Sequence, residues 1–583
     1  MWRISLQRQR QPSNAFETTI RILFFSSCLP RFEAKLLQLC MAEKHPLDTD
    51  GDPLSESLKY RKTDGKESVG VSLQSDNASA TSEPHDSTES LEKASTSKDK
   101  KDRNRGRRKR DPEQWKSRGG GWGPKEGSSD APKEPRLPKR ECALMIGFCG
   151  SAYRGMQFQK VLPDLPEPPT IEGVLFRALV AAGAVSNDNA NDPVKVGLSR
   201  AARTDAGVHA VGNIVSLKMI MQVPGVDDML AHINSKLPSD IRLWGFQRVQ
   251  NSFDARLFCD ARKYIYFFPS YLLIPPKPGS GLYRVLKEHA SLQGHDSVPW
   301  DNDPFWTGID PSTSTPQEDL LRKRAWRATP AQVERLREVI KKFEKTHNFH
   351  NFTVARDPKD KTNQRNMKKL EIAEPAVYGE TEWIAVLLDG QSFLLHQVRK
   401  MIFMLVILCR TQTPSSVLDE MFGLSSYHIP KMPALGLLLD HPLYTAYNTR
   451  LAKLNLDPSH QNYREPIEFE KYSKEMNAFR EKHIYDDMRS IEDRKGLFDG
   501  WIRSVDSYKG NDFLYLNPQG IVPPEAIVTK GERRALPFRE KKVFNATSFA
   551  DNDHEKVQAE AEDEYEEETE GQLTKKQLEE TEG

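Results

Sequence analysis

The chain is short of cysteine and has no long apolar run, and each shortage excludes a class of protein. Its six cysteines (Cys28, Cys40, Cys142, Cys149, Cys259, Cys409) form no Cys-x-x-Cys pair and no regular framework. Neither a disulfide-stapled secreted fold nor a zinc ribbon fits, and the usage points to a reduced intracellular compartment. A bilayer span needs roughly 18–20 apolar residues. The nearest candidate, Met401 to Cys409 (MIFMLVILC), is far shorter and follows Arg399 and Lys400, so it reads as a buried core helix and no membrane partner is expected. Apolar residues are also scarce, 37% of 583, and the mean hydropathy is −0.65, so much of the chain lacks a core of its own.

What is plentiful is charge, unevenly placed. The 84 Lys+Arg and 83 Asp+Glu nearly cancel, but the balance sums a basic segment and a distant acidic tail. Residues 1–40 carry arginines and serines with only Glu17 and Glu33 acidic. They read equally as an organelle transit peptide, for a mitochondrion or another organelle, or as an extension ahead of an alternative start at Met41. Residues 41–138 are polar and almost free of aromatics, so disorder is expected there. Within them Lys98 to Arg110 (KDKKDRNRGRRKR) reads as a nuclear import signal, with an RNA-contacting arm or a solvated linker as alternatives. Residues 509–583 are expected to form a disordered acidic tail; Asp551 to Gly583 alone holds 14 Asp/Glu against three Lys.

The ordered part is expected over 139–508, with a Pro-, Ser- and Gly-rich insertion at 275–326. Strands are predicted at Glu141–Cys149, Asn213–Met219, Ile241–Val249, Ala261–Pro269 and Trp383–Leu388, the last closed by an Asp389-Gly390 turn. Thr170 caps a helix with Ile171, Val174, Leu175, Ala178, Leu179 and Ala182 on one face. Thr329-Pro330 opens another, with Val333, Leu336, Ile340 and Phe343 aligned. The buried helix is placed at Phe393–Cys409. Strand groups followed by packed helices indicate an α+β fold of two sheet-and-helix halves.

Four segments could carry chemistry. Ser199 to Ala210 (SRAARTDAGVHA) is a polar loop with one carboxylate, Asp205, between Arg203 and Gly207. It reads as an Asp-x-Gly turn, as a reactive carboxylate, or, with His209, as half of a metal site that lacks further ligands nearby. In Arg262 to Tyr266, Tyr264 and Tyr266 share a strand face, and buried phenols usually just pack. His347 to Phe352 reads as a helix C-terminus. In Phe393 to Lys400 (FLLHQVRK), Arg399 sits one turn from Leu395, Ile402 and Phe403. A buried guanidinium costs several kcal/mol unless paired. Such arginines are usually structural; here Asp205 is the unpartnered carboxylate that would answer it.

RTDAGVHA after Ser199-Arg200-Ala201-Ala202, then NIVSLK, INSKLPSDIR, FDAR, CDARKYIY, THNFHNFT and GQSFLLHQVRKM, follow one another as in tRNA pseudouridine synthases of the TruA superfamily. The chain resembles that family over about residues 140–505. THNFHNFT, Pro433 to Leu437 and Glu481 to Met488 (EKHIYDDM) resemble its eukaryotic tRNA pseudouridine synthase 1 branch. Ala202 stands where bacterial members usually have Gly, and Ala206-Gly207-Val208-His209 looks more bacterial than the Lys-Gly-Val-Ser of animal relatives.

The resemblance implies a pseudouridine synthase fold whose halves form a central RNA-binding cleft. It implies that uridine in tRNA, and in other structured RNAs, becomes pseudouridine without a cofactor. Asp205 would be the catalytic carboxylate, as nucleophile at C1′ or base at the C2′ proton, Arg399 its ion-pair partner, and Tyr264 the aromatic on the target base and a candidate for the C5 proton. Arg203 would accompany base flipping, with Arg200, Thr204 and Lys400 also on the substrate. Arg154, Lys160, Arg200, Arg256 and Lys400 are candidates for phosphate contact. The alternative is a catalytically silent RNA-binding or RNA-folding factor on the same scaffold.

Overall fold

The computed structural model describes residues 137–159, 169–295, 297–354, 356–454, 456–529, 531–544 and 565–566. The transit-like stretch, the basic block, Lys160 and, of the acidic tail, residues 545–564 and 567–583 lie outside them.

Ten strands make one mixed sheet: β1 Lys139–Phe148, β2 Ser199–Arg200, β3 His209–Ile220, β4 Ile241–Arg248, β5 Ala261–Pro269, β6 Lys345–Asn348, β7 Gln364–Ile372, β8 Ala376–Tyr378, β9 Thr381–Gly390 and β10 Leu437–Leu443. Their order is β4-β1-β3-β10-β5-β9-β7-β6, with β2 on β3 and β8 on β9. Inner residues of β1 (Cys142 to Ile146) are sealed on both faces, so the sheet is covered above and below. The helices that matter here are α1 Ile171–Ala181, α2 Gly281–Leu292, α3 Pro316–Ala325, α4 Pro330–Lys341 and α5 Gln397–Arg410. Every residue of α5 is buried, its apolar run Met401–Cys409 together with Gln397, Arg399, Lys400 and Arg410.

The two halves share this one sheet rather than forming separate ones. Residues 139–248 supply β1 to β4 and residues 261–390 supply β5 to β9. The seam is β10, parallel to β3 through Leu438↔His209 and Leu439↔Ala210, and antiparallel to β5 through Leu439↔Tyr264. That register brings the start of β3, just after Asp205, within two strands of Tyr264.

Several expectations need correction. The helix predicted from Phe393 starts at Gln397, because His396 sits at φ 62 and a left-handed residue cannot continue a right-handed helix. Asp389 and Gly390 belong to β9, paired with Lys263 and Arg262; ladder bonds outweigh their turn propensity. His347 and Asn348 lie in β6, and His350–Phe352 is a short 3-10 turn, since Lys345 at φ 77 has already ended the helical path. Between β5 and β6 the 275–326 insertion is itself folded. It holds α2 and α3, the latter started by a Thr315/Glu318 capping box, and Lys323 of α3 pairs with buried Asp499 at 2.7 Å. Order also continues past Tyr508: Phe513, Leu514, Tyr515 and Leu516 are buried, and Asp512 accepts from Phe538 N at 2.7 Å. Those four apolar side chains give residues 509–544 enough core to fold against.

Candidate active site

An open pocket of about 460 Å³ lies at the seam, lined from one half by Arg203, Thr204, Asp205 and Val208 and from the other by Tyr264 and Phe393 to Val398, with Leu437 of β10 between them. Asp205 occupies a tight turn. Gly207 is at φ 77, its N–H reaches the Tyr153 carbonyl at 3.3 Å, and Val208 N donates to the Asp205 carbonyl at 3.2 Å. The Asp-x-Gly turn is therefore formed, and it carries the Asp205 carboxylate to the pocket. Gly155, at φ 87, lets a second loop pass so close that a Cβ there would sit 2.9 Å from the Thr204 oxygen.

The Asp205 side chain keeps 28% of its surface open. Its Oδ2 lies 2.9 Å from His396 Nδ1 and 3.5 Å from Arg399 Nη1. Arg399 is buried, and its Nε donates to the Met432 carbonyl at 2.6 Å. Burial by itself would raise the Asp205 pKa, but His396, Arg399 and Lys431 together hold it well below the usual carboxylate range. His396 is in turn pushed below its ordinary value, first by burial and also by Lys431 and Arg399, against the pull of Asp205. The ring cannot be both depressed and the main cation on Asp205. The permanent charges of Arg399 and Lys431 settle it: Asp205 is ionised, and His396 is neutral with its proton on Nδ1, donated to Oδ2.

Tyr264 faces this carboxylate across the pocket. Its ring meets Phe393 edge-on at 5.0 Å, and its hydroxyl has no hydrogen-bond partner among the described residues. Burial pushes the phenol up to about 12, so it is neutral at physiological pH. Thr204 Oγ1 is a second buried pocket group without a hydrogen bond among the described residues.

Other sequence candidates fall elsewhere. His209 is sealed in the core, Nδ1 accepting from Gly150 N at 3.1 Å and Nε2 3.1 Å from the Leu435 carbonyl; burial lowers it to about 4. With both nitrogens turned to backbone, it does not join Asp205 as a ligand. Among the described residues no group of three or more His, Cys, Asp and Glu could hold a metal, and no helix is long and apolar enough to cross a membrane. Arg200 is bound to Glu172 at two points. Lys400 is buried and donates to the Thr353 carbonyl at 3.1 Å, away from phosphate reach. Both side chains are thus engaged by acceptors of the protein itself. Arg154 is exposed and Arg256 half-buried.

Two residues escaped the sequence reading: His396, because its segment was taken as helix, and Lys431, in a loop without a motif. The spacing His396-x-x-Arg399 was the available signal for the first.

A family model described as tRNA pseudouridine synthase matches residues 339–445. The chain is 38% identical over 437 residues to tRNA pseudouridine synthase 1 of Candida albicans, covering 66% of this chain and 69% of that protein. It is 38% identical over 420 residues to tRNA pseudouridine synthase 1 of Saccharomyces cerevisiae, covering 66% of this chain and 74% of that protein. The tRNA pseudouridine(27/28) synthase of Saccharomyces cerevisiae is 34% identical over 333 residues, 53% of this chain and 86% of that protein.

Proposed function

The chain belongs to the tRNA pseudouridine synthase family, and we propose that it isomerises uridine to pseudouridine in tRNA with Asp205 as its catalytic carboxylate. The observation that carries this reading is an ionised carboxylate held at the mouth of a pocket by a buried arginine, with a tyrosine ring opposite.

The reaction breaks the N1–C1′ bond, turns the uracil and joins C5 to C1′, after which C5 loses its proton. Atoms and electrons balance without a redox partner. Asp205 either attacks C1′ or removes the C2′ proton, and both routes need it unprotonated, which His396, Arg399 and Lys431 secure. The Tyr264 ring stacks on the base. Its neutral hydroxyl serves C5 by taking that proton while passing its own to water at the open pocket, since no standing phenolate is present at neutral pH. Arg203 fills the stack that the flipped base vacates, and Thr204 Oγ1 meets the nucleotide. RNA is held by phosphate contacts from Arg154 and Arg256, so affinity falls with salt. Other structured RNAs are read by shape in the same way. The basic block sends the protein to the nucleus, and a start at Met1 adds a mitochondrial address; identical nuclear staining of fusions beginning at Met1 and Met41 would remove the second.

The decisive assay is tritium release from tRNA transcript labelled at uracil C5, wild type beside Asp205→Asn. Release by wild type alone is expected. No release from any transcript, with salt-sensitive RNA binding intact, would leave the silent binding factor instead.

A further inference from the structure

Both side chains that hold Asp205 end on the same oxygen. His396 Nδ1 and Arg399 Nη1 reach Oδ2, and no hydrogen bond among the described residues ends on Oδ1. An arginine usually grips a carboxylate with two parallel bonds that occupy both oxygens. Arg399 does not: it reaches Asp205 through Nη1 alone, and its Nε donates to the Met432 carbonyl. The contact is one-sided.

We propose that His396 is a positioning residue for the isomerisation: with Arg399 it fixes Oδ2 of Asp205 and leaves Oδ1 as the oxygen that meets the ribose. This rests on the reading of Asp205 as the catalytic carboxylate. Either chemical route needs one free oxygen aimed at the sugar. A carboxylate turning freely about its Cβ–Cγ bond would present it only part of the time, and a small misplacement at a reacting atom costs rate heavily.

The backbone at His396 points the same way. It is in the left-handed region (φ 62, ψ 0), a conformation that is unfavourable for a non-glycine residue. It stands at the N-cap of α5 yet makes no capping hydrogen bond. Asn or Gly would suit that backbone better. What histidine adds is the Nδ1–H aimed at Asp205. Because burial and the neighbouring Lys431 and Arg399 keep the ring neutral, the donor persists across physiological pH while Nδ1 stays bonded.

Three variants test this in tRNA turnover. His396→Gly relieves the backbone and removes the donor. His396→Asn keeps the left-handed preference and places an amide N–H close to Nδ1. His396→Gln extends its amide one bond too far. For His396→Gly the expected result is a kcat lower by about 10- to 100-fold with KM for tRNA nearly unchanged and Tm unchanged or raised. The acid limb of its kcat–pH profile should move to higher pH, because a hydrogen bond to the ionised form of Asp205 has gone while Arg399 and Lys431 remain. His396→Asn should recover most of the kcat and His396→Gln should not. The proposal is overturned if His396→Gly turns over nearly as fast as wild type, or if Asn and Gln behave alike. If Asp205→Asn itself stays active in the same assay, the underlying reading of Asp205 fails instead.

Discussion

Arg200 grips Glu172 at two points, Nε to Oε1 at 2.5 Å and Nη2 to Oε2 at 2.9 Å, with the carboxylate sealed from solvent. Phe158 N donates to Oε2 as well, at 2.8 Å. Burial raises the Glu172 pKa and Arg200 works against it. Removing the arginine leaves a buried charge with one backbone donor. Arg200→Ala is therefore expected to cost about 3–5 kcal/mol in urea unfolding. The salt slope of tRNA binding should stay that of wild type, because Arg200 spends its charge inside the protein. A shallower slope would restore it as a phosphate contact.

Tyr264 and Tyr266 share one face of β5 but differ in what their hydroxyls meet. Tyr266 donates to the Pro433 carbonyl at 2.7 Å and is fully buried, whereas Tyr264 opens on the pocket. Tyr266→Phe should lower stability by about 1–3 kcal/mol, the cost of a buried carbonyl losing its donor, with kcat intact. Tyr264→Phe keeps the ring, so tRNA affinity should hold while kcat falls by about 10²–10⁴-fold, the range for a lost proton-transfer group. Single-turnover kinetics with a filter-binding titration separate the two.

Arg399→Ala should abolish turnover but unfold the protein less than loss of a sealed ion pair would. Asp205 keeps solvent contact, so its charge is not stranded. The stability loss is expected nearer the roughly 1–3 kcal/mol of an unsatisfied Met432 carbonyl. Chemical unfolding of the variant beside wild type reads it directly.

The contribution of Glu492 to stability should decline between mildly acid and neutral pH, against the buried neutral His209 and His396, whose contributions rise over the same range. Glu492, 1% exposed, accepts from Tyr271 and from Phe498 N at 2.8 Å, and burial still pushes it up to about 7 from 4.5. Burial does the same to Glu141, against Lys218. The folded state keeps these protons longer than the unfolded chain. The stabilisation is therefore complete below about 4.5 and lost as pH rises through about 7, about 3 kcal/mol for Glu492. Glu492→Gln keeps a carbonyl for Phe498 N and an amide for the Tyr271 oxygen. Relative to this variant, wild type should lose Tm between pH 5 and pH 8, about the window that Glu492 spans.

Much of the site was legible before any coordinates. The cost of a buried guanidinium linked Arg399 to Asp205 across the chain, and the motif order carried the fold. The Asp205 loop and most strands were visible as alternation and turn chemistry. The misses have local causes. A left-handed residue leaves no mark on helical periodicity, so FLLHQVRK read as continuous helix and His396 was not singled out. Phe513 to Leu516 lay among Asn, Asp, Gly and Pro, and four apolar residues in such company looked like tail.

The sequence by itself determined the chemistry at hand: one loop carboxylate, one arginine needing a partner, two tyrosines on a strand face and charge segregated to the ends. Only the tertiary structure decided which cations stay at the pocket. Arg200 finds Glu172, 28 residues away, and Lys400 finds Thr353, 47 residues away. Whether a basic side chain meets solvent or a buried acceptor depends on what the sheet register brings beside it, and no local pattern of residues encodes that.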